Sequence, residues 1–169
     1  IHQTLSAQLR QKEGRKGTPT ASVVDSQSVK TTDVGGAERG FDGNKKIKGR
    51  KRHLIVDTLG LVIGVIVTAA NVADVTAARM SLTELHLKFP GVEKVWADQG
   101  YRGQSIQLVA CGLQQNLEIV KRNSREFEVL PRRWVVERTF AWLMKHRRLS
   151  KDYERLPEIS ESLIEIASI

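Results

Sequence analysis

Three acidic residues have the types and positions that metal-dependent chemistry on phosphodiesters requires. Asp25 and Asp98 each end a short apolar run with the character of a strand, and Glu137 lies in the strongly basic stretch 132–138. Carboxylates at two strand ends and on one helix face can converge on a single point. Convergent carboxylates bind Mg²⁺. Because basic residues surround them, the pattern favours phosphodiester chemistry on nucleic acid.

Each of these acids also has a purely structural interpretation. Asp25 precedes polar residues and is compatible with a turn or cap. Asp98 lies between a strand and glycines that let backbone approach closely, where Arg102 would contact a phosphate, but ordinary strand-to-helix turns have the same composition. Glu137 follows Arg133 by four residues on one helix face, which fits either a surface salt bridge or a phosphate-binding arginine beside a metal site.

The charge of the chain indicates the kind of partner. Its 169 residues include 27 Lys and Arg against 19 Asp and Glu, a net charge of +8. This excess favours a polyanion, nucleic acid before membrane, although a generally basic protein is the alternative. Six of the eight residues from 45 to 52 are basic, which is compatible with a DNA-binding segment or a solvated loop. The residues predicted to bind DNA are Lys45, Lys46, Lys48, Arg50, Lys51, Arg52, Arg102, Arg133, Lys145, Arg147 and Arg148.

The elements that would position these residues follow from hydrophobic periodicity and turn residues. Strands are predicted at 21–25, 53–57, 61–68, 93–97 and 117–120, and helices at 1–13, 75–88, 104–111, 131–147 and after Pro157. Asn71 or Asp74 would cap the second helix. The glycine-rich stretch 31–44 is predicted to be a mobile loop. This order predicts an α/β fold with a mixed five-stranded sheet flanked by helices.

The predicted domain organisation is simple. Residues 1–19 are interpreted as a helical segment and linker, the remnant of an N-terminal region, and residues 20–169 as one domain. The chain begins with Ile1 and stops in mid-pattern at Ile169, so we expect a piece of a longer protein. The single cysteine, Cys111, excludes an intrachain disulfide and fits a reducing cytoplasm.

Four blocks of sequence, taken together and in order, resemble bacterial insertion-sequence transposases of the DDE type. These blocks are Val24–Lys30, Ile47–His53, Trp96–Gly103 and Arg133–Thr139, within a match of roughly residues 20–157. The resemblance implies an RNase H-like fold. It also implies that Asp25, Asp98 and Glu137 are the catalytic triad and the ligands of two Mg²⁺ ions, for which Mn²⁺ is an alternative.

The same resemblance implies a mechanism and partners. DNA is nicked by water activated at the metal site, and the freed 3′-hydroxyl then attacks target DNA, with no covalent enzyme intermediate. The partners would be double-stranded DNA at the element ends and target, bound by a homodimer or larger assembly. Two rival interpretations stay open at this point: an inactive DNA-binding transposase remnant, and an RNase H-like nuclease that hydrolyses without joining.

One helical signature of the family is only partly present. Part of the family carries tyrosine, arginine, glutamate and lysine on one face of the last helix of the site. Arg133 and Glu137 fit, but Leu130 replaces the tyrosine and Met144 the lysine. Lys145 lies one position further, turned by about 100° around the helix.

Overall fold

The computed structural model describes residues 1–33, 35–120 and 131–169, which form one mixed β-sheet with five α-helices. The strands are β1 (Ala21–Lys30), β2 (Gly40–Asp42), β3 (Ile47–Asp57), β4 (Val62–Ala69), β5 (Lys94–Ala97) and β6 (Asn116–Ile119). The helices are α1 (His2–Lys12), α2 (Asp74–Lys88), α3 (Gln104–Gly112), α4 (Pro131–Leu143) and α5 (Pro157–Ala167). The predicted α/β architecture is confirmed.

The sheet combines an antiparallel half and a parallel half. β3 pairs antiparallel with β1 on one side, and with β4 and the short β2 on the other. β5 runs parallel to β1, and β6 runs parallel to β5. β1 is therefore the strand at which pairing changes direction, and Asp25 lies on it.

Alternation along β1 divides the core between the two faces of the sheet. Val24 belongs to the apolar cluster formed with α2 and α3, whereas Val23 belongs to the cluster formed with α4 and α5. Leu82 of α2 and Val136 of α4 are fully buried on their respective sides. Both faces of the sheet are thus covered by helices, and α4 is fixed on the face that Val23 and Asp25 share.

The structure differs from the predicted strands in three places, and α4 ends at Leu143 rather than at 147. All five predicted strands are present, and β2 is a sixth strand within the stretch predicted to be a mobile loop. β1 continues to Lys30 because residues 26–30 pair with β3 after the pairing with β5 has ended. β3 begins at Ile47 rather than 53, so most of the basic run belongs to a strand. Hydrophobic periodicity did not predict these strand residues, because many of their side chains are polar.

Helix α1 packs on the rest of the domain through a buried ion pair. Arg10 donates to the Asp57 carboxylate at the end of β3, and its other nitrogens donate to the carbonyls of Lys16 and Thr18. The predicted boundary at residue 19 stays a prediction. No helix among the described residues is long and apolar enough to cross a membrane.

Candidate active site

Asp25 and Asp98 lie side by side where two parallel strands separate. The pairing of β1 with β5 ends at Val24 and Ala97, and each aspartate follows its paired residue directly. The Asp25 carboxylate accepts a hydrogen bond from the Ser26 backbone N–H at 2.7 Å. Asp98 begins a single 3₁₀ turn, and its Oδ1 accepts the Gly100 N–H at 2.8 Å. Ligands commonly bind at such an opening in an α/β sheet.

Helix α4 brings Arg133 and Glu137 over this opening. The helix is fixed by the β3–β4 turn, where Thr139 donates to the Gly60 carbonyl at 2.8 Å and Arg138 to the Leu59 carbonyl at 2.8 Å. Gly60 has a positive φ of 92°, which a side chain would strain, and a Cβ there would also crowd Arg138 and Thr139. The turn and the helix therefore set the position of Glu137 together.

Arg133 lies at the centre of the three carboxylates. Its Nη2 is 3.5 Å from Asp25 Oδ2, 3.9 Å from Asp98 Oδ2 and 3.4 Å from Glu137 Oε1. Because all three oxygens lie within 3.9 Å of the same nitrogen, no two of them can be separated by more than twice that distance. The side chains of Asp25 and Arg133 are 13% and 15% exposed, but that of Glu137 is 49% exposed. The cluster therefore has a buried floor and one side open to solvent.

The surroundings of Asp25 at the floor of the cluster disfavour the ionised form of its carboxyl group. Burial, and next the neighbouring charge of Asp98, raise the pKa of Asp25 to about 6. The Ser26 N–H, Arg133 and Lys45 act in the opposite direction and offset only part of this effect. An added cation would therefore be stabilising here.

The donor set fits a divalent metal in kind. Carboxylate oxygens are the ligands that Mg²⁺ prefers, and the pKa of Asp25 reflects negative charge that Arg133 does not fully compensate. Among the residues that the structure describes, no three acidic, histidine or cysteine side chains are close enough to hold an ion as they stand. Metal binding would require the three carboxylates to approach one another and the Arg133 guanidinium to move out from between them.

Comparison with known proteins identifies the family to which this site belongs. The family model for the transposase DDE domain matches residues 16–168, nearly the whole chain. The chain belongs to the DDE transposase family. A relative from Burkholderia cepacia, assigned as the transposase of insertion sequence element IS402, is 32% identical over 128 residues. That match covers 70% of this chain and 60% of the relative, so the DDE domain described here corresponds to only part of that protein.

Solved structures confirm the RNase H-like fold. A chain of the simian T-cell lymphotropic virus intasome in complex with the PP2A regulatory subunit B56γ superposes with a TM-score of 0.58 at 15% identity, over 88% of this chain and 48% of that chain. The catalytic core domain of BIV integrase superposes with a TM-score of 0.58 at 14% identity, over 88% of this chain and 82% of that one. At these identities the likeness concerns the fold alone.

The structure divides the cations predicted to bind DNA into exposed and buried groups. The exposed ones in this DDE domain are Lys45, Lys46, Lys48, Arg102, Lys145, Arg147 and Arg148. Arg148 is paired with Glu154 at 2.8 Å. Arg133 belongs to the carboxylate cluster. The exposed cations are accessible to a phosphate, and their role in binding DNA stays a prediction.

Arg50, Lys51 and Arg52 were predicted to bind DNA, and their burial corrects that interpretation. Arg50 donates to the carbonyls of Glu154 and Arg155 at 2.9 and 2.7 Å, and is paired with buried Asp152. Arg52 donates to the carbonyls of Leu149 and Lys151 at 2.7 and 3.2 Å. Lys51 donates to the carbonyl of Val72 and is paired with Asp74. Because these side chains are taken up by internal partners, they are not available to phosphates.

The structure describes only some of the residues of the helical signature. Leu130 lies outside the described residues. Met144 is exposed just beyond the end of α4, and Lys145 beside it is exposed as well. Neither Met144 nor Lys145 makes a described contact with the carboxylate cluster, and the role of Lys145 stays a prediction.

One acidic residue near the site was expected only to cap a helix. Asp74 is the first residue of α2, and Ala73 occupies the N-cap position instead. The Asp74 carboxylate accepts a hydrogen bond from Ser26 Oγ at 2.9 Å and forms an ion pair with Lys51 Nζ at 3.2 Å. An aspartate at the start of a helix carries no signal that separates a cap from a site residue, so sequence reasoning could not have found this contact.

Proposed function

We propose that this chain is the catalytic domain of an insertion-sequence transposase, which cuts DNA strands and transfers the 3′-hydroxyl to target DNA with divalent metal ions. The observation that carries the proposal is the convergence of Asp25, Asp98 and Glu137 on one guanidinium. Membership of the DDE transposase family supports it. Because the chain spans 60% of the IS402 relative's length, the activity of the whole protein is part of the proposal.

In this proposal the three carboxylates hold the metal ions and Arg133 contacts the scissile phosphate. When bound, the ions stabilise the charge on the attacking and leaving oxygens. The half-exposed Glu137 lies at the open side of the cluster, while the largely buried Asp25 and the partly exposed Asp98 form its floor. Arg133 offers planar donors that match phosphate oxygens once the carboxylates no longer engage them.

The exposed cations extend the site into a surface for double-stranded DNA. Lys45 donates to the Ser26 carbonyl at 3.1 Å, which brings the lysine group next to Asp25. Lys46 and Lys48 continue from it along the start of β3. We propose that these lysines bind backbone phosphates in the cytoplasm, and that a homodimer or larger assembly joins two element ends.

Strand nicking and strand joining test the proposal. The purified domain is incubated with Mg²⁺ or Mn²⁺ and supercoiled plasmid, and separately with a duplex of the element's own terminal sequence carrying a free 3′-hydroxyl. Asp98→Asn and Glu137→Gln are expected to abolish nicking and joining while salt-dependent DNA binding remains. Glu93→Gln is the matched control, because Glu93 is exposed at the opposite end of β5.

The outcomes separate the alternatives. Nicking without joining would favour a nuclease over a transposase. Salt-dependent DNA binding without either activity would favour a DNA-binding remnant. Nicking at the wild-type rate by either carboxylate variant would show that the site assignment is wrong.

A further inference from the structure

A second charged network lies behind the carboxylate cluster, and Ser26 connects the two. The Ser26 backbone N–H donates to Asp25 at 2.7 Å, and its hydroxyl donates to Asp74 at 2.9 Å on the other face of the sheet. One residue therefore hydrogen-bonds to a predicted catalytic carboxylate and to a carboxylate with no assigned role.

Asp74 also approaches the second aspartate of the cluster. A Cβ placed on Gly100 would lie 3.0 Å from Asp98 Oδ1 and 3.1 Å from Asp74 Oδ2. The two carboxylates therefore lie close to the same glycine, and a side chain there would require them to move by a few tenths of an ångström. Asp74 Oδ1 binds Ser26 and Lys51, whereas no hydrogen bond is described for its Oδ2.

Lys51 supplies the charge that balances Asp74. Its amine is 3.2 Å from Asp74 Oδ1 and 4.0 Å from Asp42, and donates to the Val72 carbonyl at 2.9 Å. The lysine side chain is only 8% exposed, so its ammonium group is fixed by protein contacts and its charge is little screened by solvent.

The phenol of Tyr101 is evidence that Asp74 is electrostatically part of the site. Burial first, and then the charges of Asp25, Asp74 and Asp98, raise the pKa of Tyr101 well above its usual value. The buried phenol is thus close enough to all three aspartates for their charges to act on it.

We propose that Asp74 and Lys51 form an internal charge pair that sets the affinity of the carboxylate cluster for divalent metal. The inference rests on the proposed function. Asp74 is a positioning residue that adds negative potential near Asp98 and holds Ser26, whose backbone N–H donates to Asp25. Lys51 limits that potential. The role is electrostatic, so the two partners act on metal affinity in opposite directions.

The opposite directions provide the test. Mg²⁺ affinity is measured without DNA, as the rise in melting temperature with magnesium chloride concentration. Asp74→Asn removes a negative charge and leaves Lys51 uncompensated, so we expect Mg²⁺ affinity to fall by about tenfold. Lys51→Met leaves Asp74 uncompensated, so we expect affinity to rise by a similar factor. The double variant is expected to return close to wild type.

Further variants distinguish electrostatics from damage to the fold. Asp74→Glu retains the charge and is expected to keep most of the affinity, whereas Asp33→Asn changes an exposed carboxylate and should have no effect. Unchanged affinity in Asp74→Asn, or weaker affinity in both single variants, would overturn the inference. If one single variant does not fold, the direction of the other still decides. A wild-type protein that does not respond to Mg²⁺ would instead refute the metal-dependent function itself.

Discussion

The charge of Asp25 should make the metal-free protein less stable, and replacing it by asparagine should therefore stabilise the fold. Asp25 is largely buried beside Asp98, and its pKa is raised from 3.8 to about 6. The folded protein thus binds the Asp25 proton more tightly than the unfolded chain does. Between these two pH values stability falls as pH rises, and the full cost is present above pH 6. Asparagine carries no charge and does not incur this cost.

The magnitude follows from the size of the shift. A shift of about two units at 1.36 kcal/mol per unit corresponds to about 3 kcal/mol. For a domain of this size that is a rise in melting temperature of about 5–10 °C at pH 8. Differences in amide hydrogen bonding act at every pH alike, so the part that varies with pH isolates the charge.

Urea unfolding of wild type and Asp25→Asn in the presence of a chelator, at several pH values from about 3.5 to 8, measures this effect. The difference in unfolding free energy should be small at the acidic end, grow through pH 4–6 and then level off. Asp33→Asn, which changes an exposed carboxylate, is the control and should give a flat difference. A flat difference for Asp25→Asn as well would refute the argument that burial and Asp98 penalise this charge.

Three other predictions follow from the contacts around the site. Three exposed lysines begin the basic run: Lys45, Lys46 and Lys48. Changing them to glutamine should reduce the slope of log affinity against log salt by about three, measured by fluorescence anisotropy on duplex DNA, and an unchanged slope would exclude phosphate contacts there. Arg50→Met leaves buried Asp152 without its ion pair, so urea unfolding should show a loss of about 3–5 kcal/mol, which an exposed arginine would not give. Thr139→Val removes the hydrogen bond that fixes α4 to Gly60, and we expect a loss of about 1–3 kcal/mol together with slower nicking; unchanged nicking would mean that this bond does not position Glu137.

Much of the architecture and the candidate triad could be predicted from local pattern. Apolar runs and turn residues located the five main strands, because side-chain alternation and turn chemistry are properties of neighbouring residues. The two aspartates were marked by the ends of apolar runs, and the family blocks around them added specificity. The strand boundaries were less predictable: β1 runs past Asp25, which lies at the end of its pairing with β5 rather than at the end of the strand.

The roles of the charged residues depended on partners distant in the chain. Lys48 and Arg50 are two positions apart in one basic run, yet the first is exposed and the second fully buried. Arg50 is buried because it meets Asp152, which is 102 residues further along the chain. The Asp74 carboxylate likewise accepts a hydrogen bond from Ser26, which lies 48 residues earlier in the chain. A charge can be buried only where an opposite charge or a hydrogen-bond partner compensates its desolvation, and for these residues tertiary packing alone brings that partner into place.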